Sequence, residues 1–133
     1  MVQSWDQLIR QRAGNRCEYC HTPQRFSRLS FSVDHVIARQ HGGATVETNL
    51  ALACPFCNRH KGPNIAGVDP LTNQITRLFH PRLDVWEDHF RWNGPTVVAL
   101  TDVARATISV LAMNHPAQLA IRNSLIDEGE FGK

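Results

Sequence analysis

The sequence predicts an α+β fold built on a β-hairpin that leads directly into a short helix, with further helices on either side. Residues 29–36 alternate apolar and polar side chains, as half-buried strands do, and residues 49–54 repeat the pattern. Pro55 follows at once and suits the first turn of a helix, which Gly62-Pro63 then ends. These observations predict the order strand, strand, helix.

The length of the chain limits its domain organisation. A chain of 133 residues, 42% of them hydrophobic, can bury one core of ordinary size. We therefore expect a single domain over residues 1–133, with a core of about residues 12–62 and a C-terminal extension of about residues 75–128. The formal charge of +2 is compatible with nucleic-acid binding but does not demand it.

Capping residues and periodicity predict the flanking elements. Ser4 and Gln7 form a capping box ahead of a helix over about residues 5–13. Residues 63–73 are rich in turn formers, so we expect a connecting loop there. The remaining expected elements are a strand over residues 96–100, a helix that Thr101 caps, and a final helix over about residues 116–128.

The hydropathy of the chain bears on its location. The N-terminus carries no apolar signal core, and no stretch approaches the roughly 20 apolar residues needed to cross a bilayer. We expect a cytoplasmic protein that does not contact a membrane.

Two Cys-x-x-Cys pairs predict a zinc site. The cysteines are Cys17, Cys20, Cys54 and Cys57. Such pairs can place four thiolates at the corners of a tetrahedron, and this soft set of ligands favours Zn²⁺ in a closed structural role. Two disulfides are the alternative, but a reducing cytoplasm disfavours them. Because the pairs flank the hairpin, zinc would clamp the first pair to the junction of strand and helix.

Polar residues suited to phosphodiester hydrolysis fall within the same unit. Asp34 and His35 lie at the end of the first strand, Asn49 at the start of the second, and Asn58 in the helix. A metal held by carboxylate and carbonyl oxygens can stabilise a leaving oxyanion, while a neutral imidazole beside it deprotonates water. Hard oxygen ligands favour Mg²⁺ or Mn²⁺ over a second zinc.

The pattern C-x-x-C, D-H, G-G, N-L and C-x-x-C-N-x-x-K-G, in this order within residues 12–62, resembles the HNH endonuclease family. The similar variant is the one whose ββα-metal motif, or His-Me finger, is braced by a four-cysteine zinc site. The resemblance implies that His35 is the general base, that Asp34 and Asn58 hold the catalytic metal, and that Asn49 orients the hairpin loop.

Position 58 departs from the family pattern, which often has histidine there. An asparagine offers a carbonyl oxygen instead of a nitrogen, so this H-N-N variant should prefer harder metals. His60 is a poor substitute ligand, because two residues beyond Asn58 it points to another face of the helix. We expect four cationic or polar side chains around the site to contact backbone phosphates: Lys61, Arg59, Arg39 and His60.

The segment 77–92 resembles an extension found on many short bacterial HNH proteins. His80, Arg82 and His89 could join the active site, and the sequence leaves their role open. We expect its aromatic residues to pack as core over the open face of the hairpin instead; they are Phe79, Trp86, Phe90 and Trp92.

Two functions are compatible with these residues. The leading hypothesis is an HNH endonuclease that hydrolyses double-stranded DNA with structural Zn²⁺ and catalytic Mg²⁺ or Mn²⁺. The alternative is a zinc-ribbon module that binds nucleic acid without cleaving it. A structural ribbon has no use for Asp34, His35 and Asn58, so their joint presence favours the enzyme. Sequence preference, nicking against double-strand cleavage, pathway and oligomeric state stay open.

Overall fold

The computed structural model describes residues 4–131, which form a mixed helix-and-strand protein with two compact units. The first unit comprises the chain up to Ile65 together with His80–Asp84, and the second comprises Ala66–Phe79 and the chain from Val85 onward. The α+β class is confirmed. That both units form one domain stays a prediction. Within residues 4–131, no helix combines the length and apolar character needed to cross a membrane.

The first unit opens with helix α1, Trp5–Arg12, as the capping box predicts. The Ser4 hydroxyl accepts a hydrogen bond of 3.2 Å from the Gln7 backbone N–H, and the Gln7 side chain accepts one of 3.4 Å from the Ser4 N–H. The guanidinium of Arg12 donates to the backbone oxygen of Leu50 at 2.7 Å. This bond attaches α1 to the hairpin.

The hairpin pairs β1, Ser32–His35, with β2, Leu50–Ala53, in antiparallel register. Asp34 lies opposite Ala51, and His35 lies opposite Leu50. The predicted first strand was too long at its start, because a local turn holds that segment: the Ser27 hydroxyl accepts from the Leu29 N–H at 3.1 Å. Leu29 is consequently exposed.

Helix α2, Pro55–Lys61, begins directly after β2, as predicted. Cys54 is its N-cap, and the Cys54 sulfur accepts a hydrogen bond of 3.3 Å from the Cys57 N–H. Gly62 ends the helix with a φ of 52°, a left-handed value that favours glycine. The chain therefore has an antiparallel hairpin followed at once by a helix.

The second unit corrects the prediction of a loop over residues 63–73. Strands β3, Ala66–Val68, and β4, Ile75–Arg77, form an antiparallel pair there. The turn formers build a tight reversal, because buried Asp69 accepts hydrogen bonds from the Leu71 N–H at 2.9 Å and from the guanidinium of Arg105 at 2.8 Å. The predicted loop was wrong at Ala66–Val68, which form a strand, whereas residues 69–73 form the turn of this hairpin.

The predicted strand and the two predicted helices at the end of the chain are present, and two unpredicted elements, Trp86–His89 and Phe90–Asn93, precede them. Its elements are α3, Trp86–His89; β5, Phe90–Asn93; β6, Thr96–Ala99, paired with β5; α4, Asp102–Val110; and α5, Pro116–Asp127. The Thr101 hydroxyl caps α4 by accepting from the Ala104 N–H at 3.1 Å. Phe79 and Phe90 are buried with ring centroids 5.2 Å apart, and Trp86 lies 5.0 Å from Phe90. These aromatic residues contact one another within this unit, with Trp86 and Trp92 half-buried, and their placement as core over the hairpin stays a prediction.

Candidate functional site

Four buried cysteines form a cluster that suits a tetrahedral metal ion. Their sulfur atoms all lie within 4.8 Å of one another. The Cys20 and Cys54 sulfurs are 3.7 Å apart, close to the roughly 3.8 Å that zinc–sulfur bonds of about 2.3 Å produce in a tetrahedron. The cysteine positions therefore fit a structural Zn²⁺.

The pKa shifts of the cysteines also indicate that the cluster needs a cation. Burial raises the pKa of the Cys17 thiol well above its usual range, and hydrogen bonds with the other cysteines do so for Cys57. Hydrogen bonds from its neighbours hold the pKa of Cys20 well below its usual range. Four thiolates would therefore repel one another in this buried place unless a cation neutralised them.

The loop between β1 and β2 is organised by Asn49, which is buried. Its side-chain oxygen accepts from the Ile37 N–H at 2.9 Å, and its amide donates to the Ile37 oxygen at 3.0 Å and to the Ala44 oxygen at 2.9 Å. The loop also needs a glycine at 43, because a Cβ there would lie 1.7 Å from the Ile37 oxygen. Both residues act on the shape of the loop, and this supports a positioning role for Asn49.

An open pocket of about 360 Å³ lies against the hairpin and α2, and it brings Asp34, His35 and Asn58 together. Its remaining lining includes Tyr19, Ala38, Arg39, Gln40, Ala51, Ala53, Lys61, Gly62 and Pro63. Ala51 is opposite Asp34 in the strand register. Small side chains on β2 leave space beside the carboxylate, so the three predicted residues share one cavity.

The carboxylate of Asp34 is the most unusual group in the pocket. Its Oδ2 atom is buried and has no hydrogen-bond partner among residues 4–131. Burial raises the pKa of Asp34, and electrostatic interactions with Lys61 and His35 oppose that rise. A buried, unpartnered carboxylate oxygen costs free energy unless a ligand satisfies it.

The imidazole of His35 is held by a residue of the hairpin loop. Its Nε2 atom lies 2.8 Å from the hydroxyl oxygen of Thr45, within hydrogen-bond distance. His35 is half-buried at the last position of β1, next to Asp34. The ring therefore lines the pocket with one nitrogen already engaged.

Lys61, which the sequence predicts to contact phosphate, is bonded to the protein itself. Its side chain is buried, and its Nζ donates a hydrogen bond of 2.7 Å to the backbone oxygen of Val36. Burial lowers the pKa of Lys61, while the charge of Asp34 raises it. The ammonium lines the pocket but already has a partner within the protein.

The other predicted phosphate contacts are spread around α2 and the loop. Arg39 is exposed and lines the pocket. Arg59 is exposed with its guanidinium carbon 5.8 Å from the centre of the Phe56 ring, and His60 stacks on the same ring at 4.1 Å. Of the four predicted phosphate contacts, Arg39 and Lys61 thus line the pocket, whereas Arg59 and His60 do not.

Sequence reasoning missed Thr45 and Tyr19 at this site, and it also missed Glu18, which precedes Tyr19 in the chain. Thr45 contacts the proposed base, and Tyr19 lines the cavity from between the first two cysteines. Burial raises the pKa of the Tyr19 phenol far above its usual range, so it stays neutral. Glu18 accepts a hydrogen bond of 2.7 Å from the Leu52 N–H. The C-x-x-C spacing signals the zinc site but says nothing of the two residues inside it.

The histidines and the arginine of the extension do not line this pocket. Arg82 pairs with Glu18, and burial together with the charge of Arg12 lowers the pKa of Arg82 to about 10. His80 accepts from the Arg82 N–H at 3.2 Å, and His89 lies 2.7 Å from the Thr101 hydroxyl. Each of the three has a structural partner, which favours packing over catalysis.

Residues 17–64 match the family model described as HNH endonuclease. The matched segment includes all four cysteines, the hairpin and α2, so the resemblance inferred from the motifs is confirmed for this part of the chain. No curated protein and no solved structure matches the chain. The match ends before the C-terminal extension, whose likeness to extensions on other HNH proteins stays a prediction.

Proposed function

We propose that this protein is a metal-dependent endonuclease that hydrolyses phosphodiester bonds of double-stranded DNA. The observation that carries the proposal is the buried, unpartnered Oδ2 atom of Asp34, in one pocket with His35 and Asn58. The match of residues 17–64 to the HNH endonuclease family supports nuclease activity on a nucleic acid. The ββα-metal arrangement belongs to this proposal, which the antiparallel hairpin and the helix after it support.

The donor set around Asp34 fits a hard divalent cation. Asp34 offers a carboxylate oxygen and Asn58 a side-chain carbonyl oxygen, and both favour Mg²⁺ or Mn²⁺. These two residues would hold the ion, which when bound stabilises negative charge on the leaving oxygen. A cation would also satisfy the buried carboxylate, which explains why the fold tolerates it.

His35 is the group that can take a proton from water in this pocket. A neutral imidazole has a lone pair on one ring nitrogen, which can accept a proton from water. The loop that Asn49 organises holds the ring through Thr45. Arg39, exposed at the pocket, would contact a backbone phosphate without selecting a sequence. The cysteine site would brace this machinery from outside the pocket and take no part in the chemistry.

The alternative is a zinc-ribbon module that binds nucleic acid without cleaving it. The cysteine cluster fits both functions. A ribbon gives no reason to bury an unpartnered carboxylate beside a histidine and an asparagine, so the pocket favours the enzyme. DNA as substrate, its double-stranded form and action in the cytoplasm are parts of the proposal.

The test is cleavage of supercoiled plasmid with Mg²⁺, with Mn²⁺ or with chelator, for the wild type and for His35→Ala and Asn58→Ala. We expect metal-dependent nicking that falls by at least about a hundredfold in His35→Ala, since general-base catalysis contributes about 10²–10⁴-fold. Zinc content is measured in each protein, so that a loss of fold is separated from a loss of chemistry.

Matched controls come from the second unit. His115→Asn removes an exposed imidazole from the N-cap of α5 but leaves a good cap, and Asn123→Ala removes an exposed helix asparagine. Both should cleave like the wild type. DNA binding without cleavage under every metal would favour the zinc ribbon, and full activity of His35→Ala would exclude the base assignment.

A further inference from the structure

We propose that Thr45 is a positioning residue that determines which nitrogen of His35 accepts the proton. Its hydroxyl accepts a hydrogen bond from Nε2–H, which leaves the lone pair of Nδ1 for water. The catalytic meaning of this inference rests on the proposed function, whereas the state of the ring can be measured without any cleavage.

The loop geometry places the Thr45 hydroxyl against the ring. The Thr45 oxygen lies 2.8 Å from Nε2 of His35. The preceding carbonyl, that of Ala44, accepts a hydrogen bond of 2.9 Å from the Asn49 amide. Gly43 approaches Ile37 so closely that a Cβ would overlap the Ile37 oxygen. Contacts at Gly43 and Ala44 therefore hold the backbone just before Thr45, and from there the Thr45 hydroxyl reaches Nε2 of His35.

The direction of the hydrogen bond follows from what a base requires. If the Thr45 hydroxyl donated to Nε2, the neutral ring would carry its hydrogen on Nδ1, and its lone pair would be occupied by Thr45. Such a ring could not receive a proton from water unless this bond broke first. If the hydroxyl accepts from Nε2–H, Nδ1 keeps its lone pair. The hydrogen bond from Nε2–H to the Thr45 oxygen also persists after His35 is protonated, because both nitrogens of the imidazolium are donors.

The proton transfer then has a defined path. An O–H bond of water breaks, its proton moves to Nδ1, and the electron pair stays on the oxygen that forms the new bond to phosphorus. The P–O bond to the leaving oxygen breaks, and that oxygen takes the pair and receives a proton from solvent. Nε2–H donates to Thr45 throughout, so the ring does not need to turn during the reaction.

This geometry links the Asn49 side chain to the base through Ala44 and Thr45. The side chain of Asn49 contacts the backbone at Ile37 and Ala44, and Thr45, the residue after Ala44, contacts the ring. The backbone oxygen of Asn49 also accepts a hydrogen bond of 2.8 Å from the N–H of Val36, the residue after His35. Through its side chain, Asn49 helps to place Thr45 against His35. The link is invisible in the sequence, because the H, N and N positions of the motif do not include residue 45.

The experiment compares Thr45→Val, which keeps the shape but removes the hydroxyl, with Thr45→Ser, which restores it. In plasmid nicking under saturating Mg²⁺ we expect kcat of Thr45→Val to fall about tenfold, the size of one lost hydrogen bond, with KM changed less than about twofold. Thr45→Ser should recover most of the rate. Thr48→Val, an exposed threonine elsewhere in the same loop, is the matched control and should match the wild type.

A second readout is the tautomer of His35 in the zinc-loaded full chain without Mg²⁺. Long-range ¹H–¹⁵N spectra identify the unprotonated ring nitrogen, and His35→Gln assigns the signals. We expect Nδ1 to be unprotonated in the wild type and in Thr45→Ser, and a mixture of tautomers in Thr45→Val.

The two readouts separate the two proposals. An unprotonated Nε2 in the wild type, or a Thr45→Val protein with unchanged kcat, overturns the inference even if the enzyme cleaves DNA. If the wild type cleaves nothing, the proposed function fails, and the spectra still decide whether Thr45 sets the tautomer.

Discussion

The Nζ atom of Lys61 donates a hydrogen bond of 2.7 Å to the backbone oxygen of Val36. Val36 directly follows β1, and Lys61 is the last residue of α2. This bond joins the strand that carries Asp34 and His35 to the helix that carries Asn58. The relative position of the proposed metal ligands therefore depends on a lysine whose side chain is buried.

Replacing that lysine tests its structural role. Lys61→Met keeps an apolar stem but leaves the Val36 oxygen without its donor, so the free energy of unfolding should fall by about 1–3 kcal/mol. Cleavage should fall as well, because the hydrogen bond that joins β1 to α2 is lost. Arg59→Met, two residues earlier in the same helix and exposed, should change stability by less than about 0.5 kcal/mol. Denaturant titration of both proteins measures this; unchanged stability with weakened DNA binding in Lys61→Met would favour the phosphate contact instead.

Substitution of Asp34 should separate function from stability. Asp34→Asn keeps the shape of the side chain but removes a charge that burial penalises, so the metal-free protein should be at least as thermally stable as the wild type. Metal-dependent nicking should disappear, and added Mg²⁺ should no longer raise Tm as it does for the wild type. Thermal melts with and without Mg²⁺ check both points. A lower Tm in Asp34→Asn without metal would mean that the carboxylate has a stabilising partner already.

Gly43 provides a test of the loop that Asn49 organises. In Gly43→Ala the new methyl group would overlap the Ile37 oxygen, so the loop must shift and the hydrogen bonds of Asn49 must weaken. We expect a loss of about 2 kcal/mol or more in unfolding free energy and a strong fall in nicking. Gly42→Ala is the comparison: it meets no atom within 4 Å and carries only the strain of a left-handed φ of 88°, about 1 kcal/mol. Equal effects of the two substitutions would contradict the importance of the close approach.

The elements that local chemistry specifies were predictable from the sequence. The capping box at Ser4, the proline that starts α2 and the threonine cap of α4 each act over three or four residues, and the structure has each of them. The pair of strands at 66–68 and 75–77 was not predicted. Asp69 and Arg105 fix its turn from positions 36 residues apart, and no local pattern reveals such a bond.

The sequence likewise predicted some features of the candidate site and not others. Motif spacing brought Asp34, His35 and Asn58 to one pocket and the cysteines to one cluster. It did not reveal that Lys61 faces the Val36 oxygen, or that Thr45 contacts His35. Both contacts depend on how a loop and a helix end fold back on the strand, which charge and residue type alone do not specify.

The ion pair of Asp69 gives the second unit a defined pH dependence. The guanidinium of Arg105 holds the pKa of Asp69 well below its usual range, so the folded state binds this proton less tightly than the unfolded state. The stabilising contribution of this ion pair is therefore fully present above the ordinary pKa of about 3.9 and is lost as the pH falls toward the lowered value.

The variant Asp69→Asn tests this pH dependence. It should have a lower Tm than the wild type at neutral pH, and the difference in Tm should shrink on acidification below about pH 4. Melts from neutral to acid pH measure this, with exposed Asp127→Asn as the control; a constant difference would contradict it.

Removal of zinc tests the cysteine cluster as the brace of the first unit. The four sulfurs surround a space that suits one ion, so we expect one zinc per chain that withstands Mg²⁺ exchange. Chelation should unfold the hairpin and lower Tm sharply, because the binding free energy of structural zinc, about 10–16 kcal/mol in small domains, is coupled to folding. Cys57→Ser should behave like the chelated protein, since it removes a buried ligand that lies in α2. Reductant alone distinguishes the disulfide alternative: a zinc site keeps its Tm in excess thiol reductant, whereas two disulfides would be lost. A chain that binds no zinc and melts earlier under reductant would exclude the metal brace.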